Sequence, residues 1–296
     1  MPDEPTRLPP VSTTAVGVAA VRAAETARPD RLFVDPLAPA FVDAARAFWS
    51  VGRDTSGERR QVGALIVWIR VRTRFLDDVV TDACARGCRQ VVVLGAGLDA
   101  RAFRLALPAG VQWFELDLPE VLEFKEQVVR DGGFKPTCDR VVVPTDLAGD
   151  WAGDLDRAGI DPALRTAWLA EGLLVYLTET TREAVVDEVS RRSVTGSRFG
   201  LTLASADRAA SRRNERESMP SQPGDYVALW QSDPPPDVQT WLGARGWTVD
   251  QYDALERGRA YGLELPVVAE PRYGARLVDA TMMRLRPSDL HRRRDE

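Results

Sequence analysis

Histidine is almost missing from this chain. Its 296 residues hold one, His291, which sits in the basic tail His291-Arg292-Arg293-Arg294-Asp295-Glu296. Histidine is the commonest general base and metal ligand near neutral pH. A Ser-His-Asp triad is therefore not expected, and histidine-based zinc or non-haem iron sites are excluded. Lysine is nearly as scarce: of 39 basic side chains only Lys125 and Lys135 are lysines. The arginines are scattered, which reads as codon bias rather than as a binding surface. Positive charge is not in excess, since the net charge is −5. Neither nucleic acid nor an anionic membrane is expected as the main partner. Cysteine is limited to Cys84, Cys88 and Cys138. An odd count, with no basic-then-apolar leader, points to reduced thiols and a cytoplasmic location. No apolar run approaches the roughly 20 residues that span a membrane.

What is present is ordinary for a globular protein, with 44% hydrophobic and 28% charged residues. Residues 1–12 read as a flexible arm. Helices are expected over Thr14–Arg28, after Asp35-Pro36 with Asp35 as cap, and over Gln61–Arg86 with Gly87 as its C-cap. Residues 50–60 read as a loop. Then short β-branched runs begin: Gln90–Leu94, Val111–Asp117, Arg140–Val143, Arg165–Ala170 and Phe199–Leu203. Helical stretches separate them at Pro119–Arg130, Leu147–Ala158 and Glu179–Val194. This alternation predicts βαβ units around a parallel sheet. Two later runs, Trp247–Val249 and Leu277–Leu285, are placed to close it. A polar insertion, Ser205–Pro236, interrupts the pattern before them.

The sharpest local feature is Val91–Ala100, VVVLGAGLDA. A strand runs into a glycine turn and then a helix. Gly95 permits the tight turn, and Gly97 lets backbone approach a ligand. Asp117 follows Gly97 by 20 residues and ends the second strand, where a doubly wound sheet sets a carboxylate against ribose hydroxyls. Glu115 shares its side of the strand and is the rival acid. Asp146 follows the third strand and Glu171 the fourth. Because ligands bind beyond the carboxyl ends of parallel strands, all these groups converge on one crevice edge. There Asp146 can accept from an adenine amino group while Leu147 packs on the ring. So acidic a rim suits ribose, ammonium and sulfonium groups better than a second phosphate. The charge balance thus favours S-adenosylmethionine over NAD. An NAD(P)-dependent oxidoreductase and a non-catalytic S-adenosylmethionine-binding protein stay open as alternatives at this point.

Six segments carry a resemblance to a known family: TAVGVAAVRAAETARPDRLFVDPLA (Thr14–Ala38), VRTRFLDD (Val71–Asp78), VVVLGAGLDARAFRL (Val91–Leu105), FELDLPEVLEFK (Phe114–Lys125), VPTDL (Val143–Leu147) and AEGLLVYL (Ala170–Leu177). In this order they resemble the leucine carboxyl methyltransferase family, and within it an actinobacterial branch of S-adenosylmethionine-dependent methyltransferases. The resemblance implies an α/β, Rossmann-like class I methyltransferase fold. It also implies a seven-stranded sheet with the last strand antiparallel and an N-terminal helical segment lying over the cofactor; the insertion 205–236 is a candidate lid. The resemblance implies that Arg72 binds the cofactor carboxylate, with Arg74 as its neighbouring rival. Gly95 and Gly97 carry over as the glycine turn, Asp117 as the ribose acid, Asp146 and Leu147 as the adenine-side pair, and Glu171 as the motif acid. Two positions depart from the broader methyltransferase pattern: Val93 replaces an acid two residues before the first glycine, and Asp99 replaces the third glycine.

One domain over 1–296 is expected: an arm and helical cap (1–60), a cofactor-binding core (61–204), a substrate lid (205–245) and C-terminal strands with a tail (246–296). Tyr226 and Trp230 are candidate substrate contacts in the lid, joined by Phe48 and Trp49 from the cap. Arg208, Arg212 and Arg213 are candidate anchors for an acidic substrate. Methyl transfer from a sulfonium needs alignment and water exclusion more than acid–base help. A carboxylate acceptor needs no base, whereas a hydroxyl acceptor needs one, for which Tyr176 is a candidate. The near-absence of histidine therefore tilts the expectation toward O-methylation of a small acidic molecule.

Overall fold

The computed structural model describes residues 10–46, 58–204, 229–263 and 275–283. The predicted strands and helices form, with shifted ends. Helix α1 spans Pro10–Thr26, α2 Ala38–Ala45 and α3 Glu58–Ala85. Asp35 does cap α2, accepting from the backbone N–H groups of Leu37 and Ala38 at 3.1 and 3.0 Å. Gly87 takes a positive φ of 101° and closes α3, while the next N–H, that of Cys88, returns to the Ala83 carbonyl. Helix α3 begins earlier than expected and absorbs 58–60 from the anticipated loop.

The strands are β1 (Gln90–Leu94), β2 (Gln112–Asp117), β3 (Asp139–Pro144), β4 (Thr166–Ala170), β5 (Arg198–Leu203), β6 (Trp247–Asp253) and β7 (Arg276–Met282). They form one seven-stranded sheet in the order β3-β2-β1-β4-β5-β7-β6. Strands β1 to β5 are mutually parallel, and β7 runs antiparallel to both β5 and β6. The remaining described α-helices are α4 (Arg101–Arg104), α5 (Pro119–Asp131), α6 (Trp151–Arg157), α7 (Glu179–Arg192), α8 (Val238–Gly243) and α9 (Ala254–Ala260).

Alternation along β1 divides the core. Val91 and Val93 face a cluster with Phe41, Phe75, Leu76 and Val80 from α2 and α3. Val92 and Leu94 face Trp151, Leu155, Val185 and Leu242 from α6, α7 and α8. Helices thus cover both faces, as a parallel sheet requires. Among the described residues, no helix is long and apolar enough to cross a membrane.

The start of α6 also differs from expectation. Asp146 does not open α6. Its side chain accepts from Ala148 N–H at 2.9 Å and its carbonyl from Gly149 N–H at 2.8 Å, which makes a separate turn. Asp150 is the cap, accepting from Gly153 N–H at 3.1 Å.

Candidate functional site

Parallel strands deliver their carboxyl ends to one edge. Strand β1 ends in the turn Gly95-Ala96-Gly97, β2 in Asp117, β3 in the loop holding Asp146, and β4 at Glu171. Gly97 has φ +48°, a backbone conformation that costs other L-residues about 1–2 kcal/mol. Its N–H donates to Asp117 Oδ2 at 2.6 Å, and Leu118 N–H donates to Oδ1 at 2.7 Å. The ribose candidate is therefore fixed to the glycine turn at both oxygens. Burial raises its pKa above the ordinary aspartate value, against the pull of those two bonds.

The rival acid has another job. Glu115 is fully buried, and its Oε2 lies 2.6 Å from Lys125 Nζ and 2.6 Å from Arg140 Nη2. It neutralises two buried cations beneath β2 and does not reach the edge as Asp117 does.

Helix α3 supplies the cations. Arg72 Nε donates to Glu171 Oε1 at 2.9 Å, with its guanidinium 5.8 Å from the centre of the Trp68 ring. Gly172, at φ +63°, keeps room for Arg72: a Cβ there would stand 3.0 Å from Nη1. Arg74 points elsewhere. It pairs with Asp78 at 2.9 Å, donates to the Leu32 carbonyl at 3.1 Å and lies over the Tyr261 ring. Of the two arginines, only Arg72 joins Glu171 at the strand end.

The centre of the arrangement is a residue that the sequence reading did not single out. Arg101, buried on α4, donates through Nε to Asp77 Oδ1 at 2.7 Å, through Nη1 to Asp99 Oδ2, and through Nη2 to Glu171 Oε2 at 2.7 Å. Asp99 Oδ1 also accepts from Arg101 N–H at 2.7 Å. Asp99, the departure from the usual third glycine, is thus a buried ion-pair partner. Burial opposes its ionisation, but Arg101 and Lys125 outweigh it and hold the pKa at about 2. At Glu171 burial is likewise opposed by Arg101 and then Arg72, and the net shift is downward. A hint of this hub was present: an arginine within the apolar run around Phe103, and Asp77 four residues after Thr73 on one face of α3.

Helix α1 lies against the turn. A Cβ at Gly97 would sit 3.5 Å from Ala15 Cβ, and Arg22 joins the Leu98 carbonyl at 2.5 Å to Asp35 at 2.8 Å. Asp146 is exposed at the far side, beside the buried Leu147. Beyond β4, Leu174–Tyr176 forms one short 3₁₀ turn. Gln231 N–H donates to the Val175 carbonyl at 2.7 Å, and Ser232 Oγ to that of Leu174 at 3.2 Å. These bonds bring half-buried Trp230 beside the turn that carries Tyr176. Tyr226, Phe48, Trp49, Arg208, Arg212, Arg213 and His291 lie outside the described residues. Burial pushes the Cys84 and Cys88 thiols up to about 12 and about 11, so both are protonated at neutral pH.

Comparison with known proteins gives a consistent picture. A family model described as leucine carboxyl methyltransferase matches residues 15–190. A Streptomyces avermitilis protein named "Putative S-adenosyl-L-methionine-dependent methyltransferase" is 43% identical over 281 residues, covering 93% of this chain and 97% of its own. A Streptomyces coelicolor protein of the same description is 43% identical over 267 residues, covering 89% and 92%. Two crystal structures share the fold. One, of another Streptomyces avermitilis protein, matches with TM-score 0.55 at 14% identity over 89% of this chain and 96% of that one. The other, titled a putative methyltransferase from Thermobifida fusca, matches with TM-score 0.54 at 16% identity over 89% and 94%.

Proposed function

The chain belongs to the leucine carboxyl methyltransferase family, and from that premise we propose that it transfers a methyl group to a carboxylate oxygen of a small acidic molecule. The chain is an S-adenosylmethionine-dependent methyltransferase of class I fold. The NAD(P)-dependent reading of the glycine turn falls with that assignment.

The residues at the crevice edge fit the cofactor. Asp117 offers carboxylate oxygens to vicinal ribose hydroxyls, next to the glycine turn. Arg72 and Glu171 form a charged pair whose two signs match an α-carboxylate and an α-ammonium. Leu147 and Asp146 stand at the β3 end for the adenine. Bound S-adenosylmethionine supplies an activated methyl group on a sulfonium leaving group. The chain's part is to hold the partners in line and to keep water out, which contributes on the order of 7–11 kcal/mol when alignment is good.

The observation that carries the carboxylate reading is the lack, among the described residues, of a spare base at this edge. Glu171 is tied to Arg101 and Arg72, and its lowered pKa makes it a poor proton acceptor. Asp117 is committed to two backbone N–H groups and, in this reading, to the ribose hydroxyls. The chain's single histidine is in the tail. A carboxylate arrives deprotonated at pH 7 and asks for no base. Tyr176 and Trp230 then serve as walls for the acceptor rather than as proton carriers. A cytoplasmic location belongs to the same reading, supported by three free thiols.

The experiment is a methyl-acceptor screen with labelled S-adenosylmethionine and two panels, carboxylic acids and phenols or alcohols. The expected product is a methyl ester, which releases labelled methanol on mild alkaline treatment. Label that stays bound through that treatment would contradict carboxylate methylation.

A further inference from the structure

Glu171 divides its two oxygens between two arginines. Oε2 lies 2.7 Å from Arg101 Nη2, while Oε1 accepts from Arg72 Nε at 2.9 Å with Thr73 Oγ1 at 3.5 Å. The two arginines differ in their freedom. Arg101 has all three nitrogens engaged, by Asp77, Asp99, Glu171 and the Thr73 carbonyl, and it is 1% exposed. Among the described residues Arg72 has one carboxylate partner, Glu171, with the Trp68 ring and Gly172 close against its guanidinium. One arginine is a fixture, and the other can exchange its partner.

We infer that Arg101 is the positioning residue for the amino-acid end of the cofactor. It holds Oε2 of Glu171, so that Arg72 can turn from Oε1 to the cofactor carboxylate while Oε1 accepts from the cofactor ammonium. A planar guanidinium fits this task because its fork meets several carboxylates at fixed angles, which a lysine ammonium does not. Without Arg101, partner exchange by Arg72 would leave a buried carboxylate holding only the Thr73 hydroxyl and the incoming ammonium. The charged groups around Glu171 are Arg101 from α4, Arg72 from α3, Asp99 after the glycine turn and Arg22 from α1, with Asp77 from α3 reached through Arg101. Removing Arg101 leaves burial opposed chiefly by Arg72, so the Glu171 carboxyl moves up toward neutrality. The inference rests on the cofactor reading above.

The test compares two ligands on the full chain by calorimetry: S-adenosylhomocysteine, and 5′-methylthioadenosine, which shares the nucleoside and lacks the amino acid. Wild type binds S-adenosylhomocysteine with an affinity that is flat between pH 6.5 and 8.5. In Arg101→Gln that affinity falls at least tenfold at pH 6.5 and recovers toward pH 8.5, while methylthioadenosine binding stays within twofold. Arg101→Lys, which keeps a cation in place, shows a smaller loss and no such pH dependence. Its loss disappears on a Glu171→Gln background, because Arg101 acts through Glu171. The lysine variant and this cycle carry the test if Arg101→Gln does not fold. Parallel weakening of both ligands, or a loss that adds to that of Glu171→Gln, would overturn the inference and leave Arg101 as a core staple. A wild-type chain that binds neither ligand would instead overturn the cofactor reading itself.

Discussion

Replacing Asp117 by Asn separates the two acids of β2 with almost no change of volume. Asp117 accepts from Gly97 N–H at 2.6 Å and from Leu118 N–H at 2.7 Å. Asn has one acceptor and one NH₂ donor, so one of those N–H groups loses its partner and faces another donor. The same change removes the charge offered to the ribose. Hydrogen bonds to charged groups contribute about 1.5–3 kcal/mol, which corresponds to a loss of about 10- to 150-fold in affinity. Calorimetry with S-adenosylhomocysteine reads that loss. Stability should fall less, because burial already works against the ionised aspartate and Asn relieves that cost. Glu115→Gln should behave in the opposite way. It leaves Lys125 and Arg140 as buried cations without their shared carboxylate, and breaking such a pair costs about 3–5 kcal/mol. Thermal melting of Glu115→Gln should therefore collapse, with cofactor affinity spared in whatever remains folded. Unchanged affinity in Asp117→Asn, or a selective affinity loss in Glu115→Gln, would refute the assignment of the two acids.

Other perturbations have equally definite outcomes. Gly97→Ala forces φ +48° on a residue with a side chain. It should destabilise by about 1–2 kcal/mol and weaken S-adenosylhomocysteine binding, read by melting and calorimetry together. Arg74→Ala should change that affinity less than twofold, since Arg74 holds Asp78 and the Leu32 carbonyl; Arg72→Ala should reduce it more than tenfold. Acid should reveal Asp99. Its pKa falls from 3.8 to about 2 on folding, so its stabilisation is present above the unfolded value and is lost as pH falls from about 4 toward 2. Asp99→Asn should be less stable than wild type by about 2 kcal/mol at pH 7, with the gap closing in denaturant melts as the pH is lowered from about 4 to about 2. A gap independent of pH would contradict the pairing. The lowered Glu171 adds to the acid loss in the same direction.

The sequence made the sheet readable because the strands are short β-branched or aromatic runs, most of which stop at a polar or glycine residue. It made the edge readable for the same reason: Asp117 closes β2 and Glu171 immediately follows β4. Local pattern misled at Leu147, where the run suggests a helix start but the bond from Gly149 N–H to the Asp146 carbonyl first makes a separate turn. It could not rank Arg72 against Arg74. Two residues apart on a helix, they point about 200° apart, and only the packing of α3 on the sheet decides which meets Glu171. The Arg101 hub was least readable. Its partners Asp77 and Glu171 lie 24 residues before it and 70 after, on different elements, and no spacing rule links such positions.

The central claim is that this crevice edge holds S-adenosylmethionine, and titration calorimetry of the full chain against S-adenosylmethionine, S-adenosylhomocysteine and NADH tests it most directly. The account predicts saturable one-to-one binding of the first two and no binding of NADH. Saturable binding of NADH together with indifference to S-adenosylmethionine would contradict it.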